Sequence, residues 1–129
     1  QPPFTPCLPA MYALEVSLQR IVGEGIENVF ARHHAIADRT RNGALKLGLS
    51  LFPDRAFASD TVTAIKLPEG MDGKALVARV RKDHGVVIGG GQGPMTGKIV
   101  RIGHMGWVEP ADVDAAIDAV GKSIAAMRA

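Results

Sequence analysis

Residues 89–106 read GGGQGPMTGKIVRIGHMG, and the fold turns on what this stretch is. Seven of its eighteen residues are glycine, and Arg101 stands inside the otherwise apolar run from Ile99 to Ile102. A P-loop needs Gly-x4-Gly-Lys-Ser/Thr, so that backbone amides and the lysine surround phosphates. Gly97-Lys98 has Gln92 where the first glycine belongs and Ile99 where the hydroxyl belongs. A dinucleotide fingerprint needs Gly-x-Gly-x-x-Gly at the opening of a helix. Gly91-x-Gly93 is followed by Thr96 and then by a strand pattern. Both readings fail. On composition alone, residues 89–97 read as a flexible connection between two strands.

Side chains alternate along a strand. Val100 and Ile102 therefore share one face, and Ile99, Arg101 and Gly103 share the other. The first face suits a helical layer, so Arg101 projects from the face without one, with Gly103 clearing space beside it. Such an arginine is either a surface residue on an edge strand or a rigidly mounted guanidinium. In the second case it grips a carboxylate with two parallel hydrogen bonds, for which arginine is suited and lysine is not.

Outward from this stretch, the pattern is mixed. Residues 1–9 hold four prolines and read as an extended arm. A helical stripe follows at Met11, Leu14, Leu18, Ile21 and Val22, stopping at Gly23. A second, longer helix carries Ile26, Val29, Phe30, His33, Ile36, Ala37 and Thr40 on one side; Asn42-Gly43 weakens its end and Gly48 terminates it. LSLF (49–52) and TVTAIKL (61–67) predict strands. Asp72 caps a helix with Leu76, Val77 and Val80 inside, and Gly85 closes it. VVIG (86–89) predicts a short buried strand and KIVRIGHM (98–105) another. Pro110 opens a last helix with the stripe Val113, Ile117, Val120, Ile124 and Met127. The order ααββαββα predicts an α+β, two-layer fold with helices on one face of a small, mainly antiparallel sheet. The second sheet face is left for a partner.

Length and composition bound the function. The 129 residues suit one domain, and 47% hydrophobic content excludes a disordered class. A net charge of +2 argues against a nucleic-acid partner, and no apolar run is long enough to span a membrane. The single cysteine, Cys7, permits no internal disulfide, which fits a reducing, cytoplasmic compartment. The start at QPPFTPCLPA reads as the inside of a longer polypeptide.

With FTP (4–6), GIENVFARH (25–33) and GGGQGPMTGKIVRIGHMG (89–106) in hand, the chain resembles the C-terminal small domain of class V (fold-type I) pyridoxal-phosphate aminotransferases. Within them it is most similar to the serine–pyruvate and alanine–glyoxylate group. The resemblance covers essentially the whole chain. It implies an arm over 1–9, a small domain over 10–129, and a parent enzyme that is a homodimer. That enzyme would move an amino group from an alanine- or serine-type amino acid to a small 2-oxo acid such as glyoxylate or pyruvate. The resemblance gives Arg101 the substrate α-carboxylate and gives Thr5 the phosphate of the cofactor held by the dimer partner. Some members carry a tyrosine three residues before that threonine; this chain has Pro2 there, with Gln1 as the nearest substitute. The cofactor-bearing lysine belongs to a large domain outside this chain. Lys46, Lys66, Lys74, Lys82, Lys98 and Lys122 match no such role, so no catalytic residue is assigned here and the isolated piece is expected to be inactive. The alternative is a free-standing α+β module that binds amino acids or mediates dimerisation.

The remaining reactive side chains read as structural. His33 falls on the second helix's stripe as a packed histidine, His34 faces solvent, and His104 shares the Val100–Ile102 face. No histidine shows a carboxylate partner four residues away in the reading, so no metal site is expected. Cys7 has no helix end beside it in that reading, and no nucleophile role.

Overall fold

The computed structural model describes residues 4–128. The chain divides into two compact units, residues 1–32 and 33–129. In the first, α1 (Leu8–Glu24) begins inside the expected arm. Proline is tolerated in a helix's first turn, where its missing N–H would be unpaired anyway, so Leu8 and Pro9 join the helix. The described part of the arm is Phe4–Cys7, and Gln1 and Pro2 lie outside the described residues. The helix runs through Gly23 and ends at Gly25, whose φ is 84° and whose N–H donates to the Ile21 carbonyl at 3.0 Å. No residue of α1 is buried, and Met11, Leu14, Leu18 and Val22 are each at least half exposed. Arg32 grips Glu24 in two-pronged fashion at 2.6 and 2.9 Å.

α2 (Ile26–Lys46) contributes to both units. Within the second unit it continues through Gly43 rather than fraying there. A Cβ at that position would stand 3.0 Å from the Ile117 side chain, so the glycine lets two helices approach closely. Gly48 then turns the chain at φ 74°.

The sheet holds β1 (Ser50–Leu51), β2 (Val62–Lys66), β3 (Gly89–Gly90) and β4 (Ile99–Gly103) in the order β1-β2-β4-β3, with every pair antiparallel. α3 (Gly73–His84) and α4 (Pro110–Arg128) complete the ααββαββα order read from the sequence. Thr63 faces Ile102 and Ile65 faces Val100 across the ladder, all four buried. Ile65, Val100 and Ile102 join Leu76, Val80, Val120 and Ile124 in one core, which is the helix-facing side that the alternation predicts. Asp72 caps α3 by accepting from the Lys74 and Ala75 amides, and Gly85 closes it at φ 67°.

The strand expected over 86–89 is displaced. Val87 is 76% exposed, and the pairing residues are Gly89 and Gly90. β-branched composition marked the wrong residues because close backbone pairing beside Arg101 favours glycine over valine. Nor is the glycine-rich stretch a flexible connection. Gly91 donates to Ile99, Lys98 to Met95, Thr96 to Gly93, and Leu67 and Gly73 donate to Lys98 and Gly97, all between 2.9 and 3.1 Å. A Cβ on Gly91 would overlap the Met95 carbonyl, and one on Gly73 would stand 2.6 Å from the Gly97 oxygen. The glycines serve close packing of backbone on backbone. This loop also covers Ile99, so that residue is buried on the face opposite the core.

Candidate functional site

Arg101 is the central residue of β4, opposite Ala64 on β2 and Gly89 on β3. It is half-buried; on this face Ala64, Gly89 and Gly103 beside it are small, and Ile99 is its one large neighbour along β4. Gly91 donates to Ile99, and hydrogen-bonded pairs alternate along an antiparallel ladder. Gly90 is therefore the non-bonded position, with its carbonyl turned away from β4. Arg101 Nε donates to that carbonyl at 2.9 Å. The side chain passes over Gly89, where a Cβ would lie 3.6 Å from Nε. Among the described residues, Nη1 and Nη2 have no partner. One edge of the guanidinium is fixed and its far end is open, so the available grip on a planar anion is through the two terminal nitrogens.

Thr5 belongs to the first unit, Arg101 to the second. The Thr5 side chain is exposed and unpartnered among the described residues, an available donor for a phosphate oxygen.

A buried polar cluster went unforeseen. Arg41 is only 3% exposed, and its Nη2 donates to the Ser59 carbonyl at 2.6 Å and to Asp60 at 2.9 Å, while Nη1 meets Asp38 at 3.2 Å. Arg55 also holds Asp38, at 3.0 Å. Burial pushes the Asp38 and Asp60 carboxyls upward, but hydrogen bonds from Arg55 and Arg41 to the first, and from His34 and Arg41 to the second, outweigh it; both end below the ordinary range. The signal was present: Arg41 follows Ala37 by four residues and precedes Ala44 by three, which puts it on the buried stripe. His34 corrects the sequence reading. It is exposed, yet it meets Asp38, four residues on, at 3.6 Å and Asp60 at 3.0 Å. The cluster clamps the loop before β2 onto α2.

His104 is 1% exposed, and its Nε2 shares a 2.8 Å hydrogen bond with the Thr63 hydroxyl. Its Nδ1 has no partner among the described residues. Burial pushes its pKa below the ordinary imidazole value. It sits in the core layer, on the face away from Arg101. Cys7 is exposed at the N-cap position of α1, so a helix end does stand beside it, contrary to the sequence reading. Among the described residues no cluster of three metal-ligating side chains occurs, and no helix is long and apolar enough to cross a membrane.

No protein-family model matches the chain. Individual relatives do. The chain is 41% identical to the pyridoxamine–pyruvate transaminase of Mesorhizobium japonicum, over 92% of this chain and 31% of that protein. It is 42% identical to the L-aspartate–glyoxylate aminotransferase of Paracoccus denitrificans, over 81% of this chain and 26% of that protein. The crystal structure of the pyridoxamine–pyruvate aminotransferase from Mesorhizobium loti superposes on all of this chain and 33% of that one, with a TM-score of 0.93 and 39% identity. The chain corresponds to the small domain of the class V aminotransferases. This aminotransferase small domain spans between a quarter and a third of the length of these relatives. Its α+β fold is the one expected from the sequence.

Proposed function

We propose that this chain is the substrate-carboxylate-binding part of a pyridoxal-phosphate-dependent aminotransferase, and that Arg101 is the residue that binds. The observation that carries the reading is the mounting of Arg101: central in the sheet, anchored through Nε, and open at Nη1 and Nη2. A fixed fork loses little freedom when it closes on a carboxylate, and two parallel charge-assisted bonds define the ligand's plane. The bare Cα positions of Gly89 and Gly103 leave room for the amino acid beside it. Arg101 then holds the α-carboxylate and thereby fixes the direction of the Cα–H bond. Positioning of this kind contributes several kcal/mol to a rate when the geometry is close to that of reaction.

Thr5 fits the cofactor as a single hydroxyl donor to its phosphate, reached from the arm across a homodimer. Bound pyridoxal phosphate supplies an electron sink for the carbanion character at Cα. The donor is an alanine- or serine-type amino acid, the acceptor a small 2-oxo acid of glyoxylate or pyruvate type, and the compartment cytoplasmic. The rest of the pocket and the cofactor-bearing lysine come from a large domain of the same polypeptide, so the 129-residue chain alone is inactive.

The test has two arms. The polypeptide that carries this chain, given pyridoxal phosphate, should convert alanine plus glyoxylate to pyruvate plus glycine, with Thr5→Val weakening cofactor retention more than turnover at saturating cofactor. The isolated chain should give neither turnover nor a visible absorbance band that survives dialysis. Stoichiometric cofactor held by one lysine of the isolated chain would refute the assignment.

A further inference from the structure

We propose that the groove between α3 and the glycine loop is a binding site for an elongated organic dianion, two negative groups separated by an apolar middle. The groove has a volume of about 660 Å³. Lys74 lines one end and Arg81 and Lys82 the other, with Val77 between them and the backbone of Gly90 and Gly97 opposite. Seven residues of helix separate Lys74 from Arg81, or about 10 Å of axial rise. Both ends of the groove are cationic and its middle is apolar.

The charge is uncompensated. Among the described residues, none of the three cations forms an ion pair or a side-chain hydrogen bond. The acids nearest in sequence are engaged elsewhere: Asp72 in capping α3, and Asp83 with Arg79 at 3.1 Å. A cation in a helix's last turns is favoured by the macrodipole, which accounts for Arg81 and Lys82 without any ligand. Lys74 is different: it stands in the first turn of α3, where the macrodipole disfavours a cation. The Asp72 carboxylate occupies the helix end itself, through the Lys74 and Ala75 amides, so a ligand's negative group would meet the Lys74 ammonium on the groove side. The opposite wall does not hold the cations: the Gly90 and Gly97 carbonyls accept from Arg101 and Gly73, and neither receives a bond from the Lys74, Arg81 or Lys82 side chain.

The wall also links the groove to the first site. Gly90 is at once the lining of the groove and the anchor of Arg101. An occupant that presses on Gly90 bears on the guanidinium, so the site is suited to an effector. The charges of the groove do not depend on whether Arg101 binds a substrate.

Octanedioate is the probe, titrated into isotope-labelled polypeptide carrying this chain. Its binding should be saturable, with a Kd of roughly millimolar or tighter, and should weaken with added salt. The amides of Gly90 and Gly97 and the Arg101 Nε–H should move in the same titration. Octanoate should bind at least about tenfold more weakly, and 1,8-diaminooctane should not bind, because each loses one or both charge contacts. Lys74→Glu should lower affinity at least about tenfold; it suits the helix end, so folding is not in question. Arg81→Gln with Lys82→Gln should do the same, and Lys122→Glu on α4 should not. Equal binding of octanoate and octanedioate, indifference to Lys74→Glu, or binding of an aspartate-rich peptide without binding of octanedioate overturns the proposal.

Discussion

Arg101 passes over the bare Cα of Gly89 and fixes its Nε on the Gly90 carbonyl at 2.9 Å. Two glycines of one edge strand thus form the seat of the only charged side chain on β4. The glycine-rich stretch is neither a phosphate cradle nor a tether. It is a rigid support, and its rigidity can be measured.

Gly91→Ala should destabilise the fold by about 1–3 kcal/mol, the usual range for forcing an extra methyl into a packed site. The new Cβ would overlap the Met95 carbonyl, which is backbone and cannot rotate away. Gly23→Ala is the contrasting change: nothing lies within 4 Å, and alanine in place of glycine inside a helix should add up to about 1 kcal/mol. Urea denaturation of both variants checks the pair. A tolerated Gly91→Ala would mean that the loop adapts and is not a support.

His104 should make stability fall on mild acidification. Its imidazole is held below its ordinary value of 6.5 by burial, so the unfolded chain binds a proton first as pH drops. The stability is fully present above that value and is lost progressively from there down to the folded-state value. Asp38 and Asp60 act at lower pH: their carboxyls are depressed, so their contribution is present above 3.8 and is lost as pH falls through the lower folded values. Melting temperatures from pH 8 to pH 5 should decline for the parent and flatten for His104→Gln. A parallel decline in both would assign the effect elsewhere.

The order of elements was legible because hydrophobic period and caps agree: Asp72 and Gly85 bracket α3, and Pro110 opens α4. The helix-facing side of β4 followed from alternation alone. What escaped was set by distant backbone. β3 is a pair of glycines whose strand character comes from Arg101 and Val100 across the ladder, not from their own propensity. Arg41 is buried because residues 58–60 fold over it, although its place on the helix stripe gave a usable hint. Nothing local could have revealed that the Arg101 Nε is occupied.

The exposed apolar stripe lies on α1 and not on the sheet face left for a partner. The sheet face carrying Arg101 is largely small residues, whereas α1 exposes Met11, Leu14, Leu18 and Val22. An exposed stripe of that kind favours association. The isolated chain should self-associate in sedimentation velocity at high concentration, and Leu14→Glu with Leu18→Glu should shift it toward monomer without loss of helical signal. A parent chain that is monomeric throughout would count against this.

The most direct measurement is kcat/KM for alanine and serine in the polypeptide that carries this chain, with Arg101 replaced by alanine and by lysine. On the proposed role, alanine would leave the substrate carboxylate without its partner, a loss of about 2–5 kcal/mol, so kcat/KM should fall at least about a hundredfold. Lysine keeps the charge but loses both the fork and the Nε anchor on Gly90, and should fall between alanine and the parent. Cofactor retention should be unchanged in both, and amines lacking the α-carboxylate should be affected little. Near-parental kcat/KM for alanine and serine in both variants would make Arg101 a surface residue of an edge-protected sheet and contradict the account.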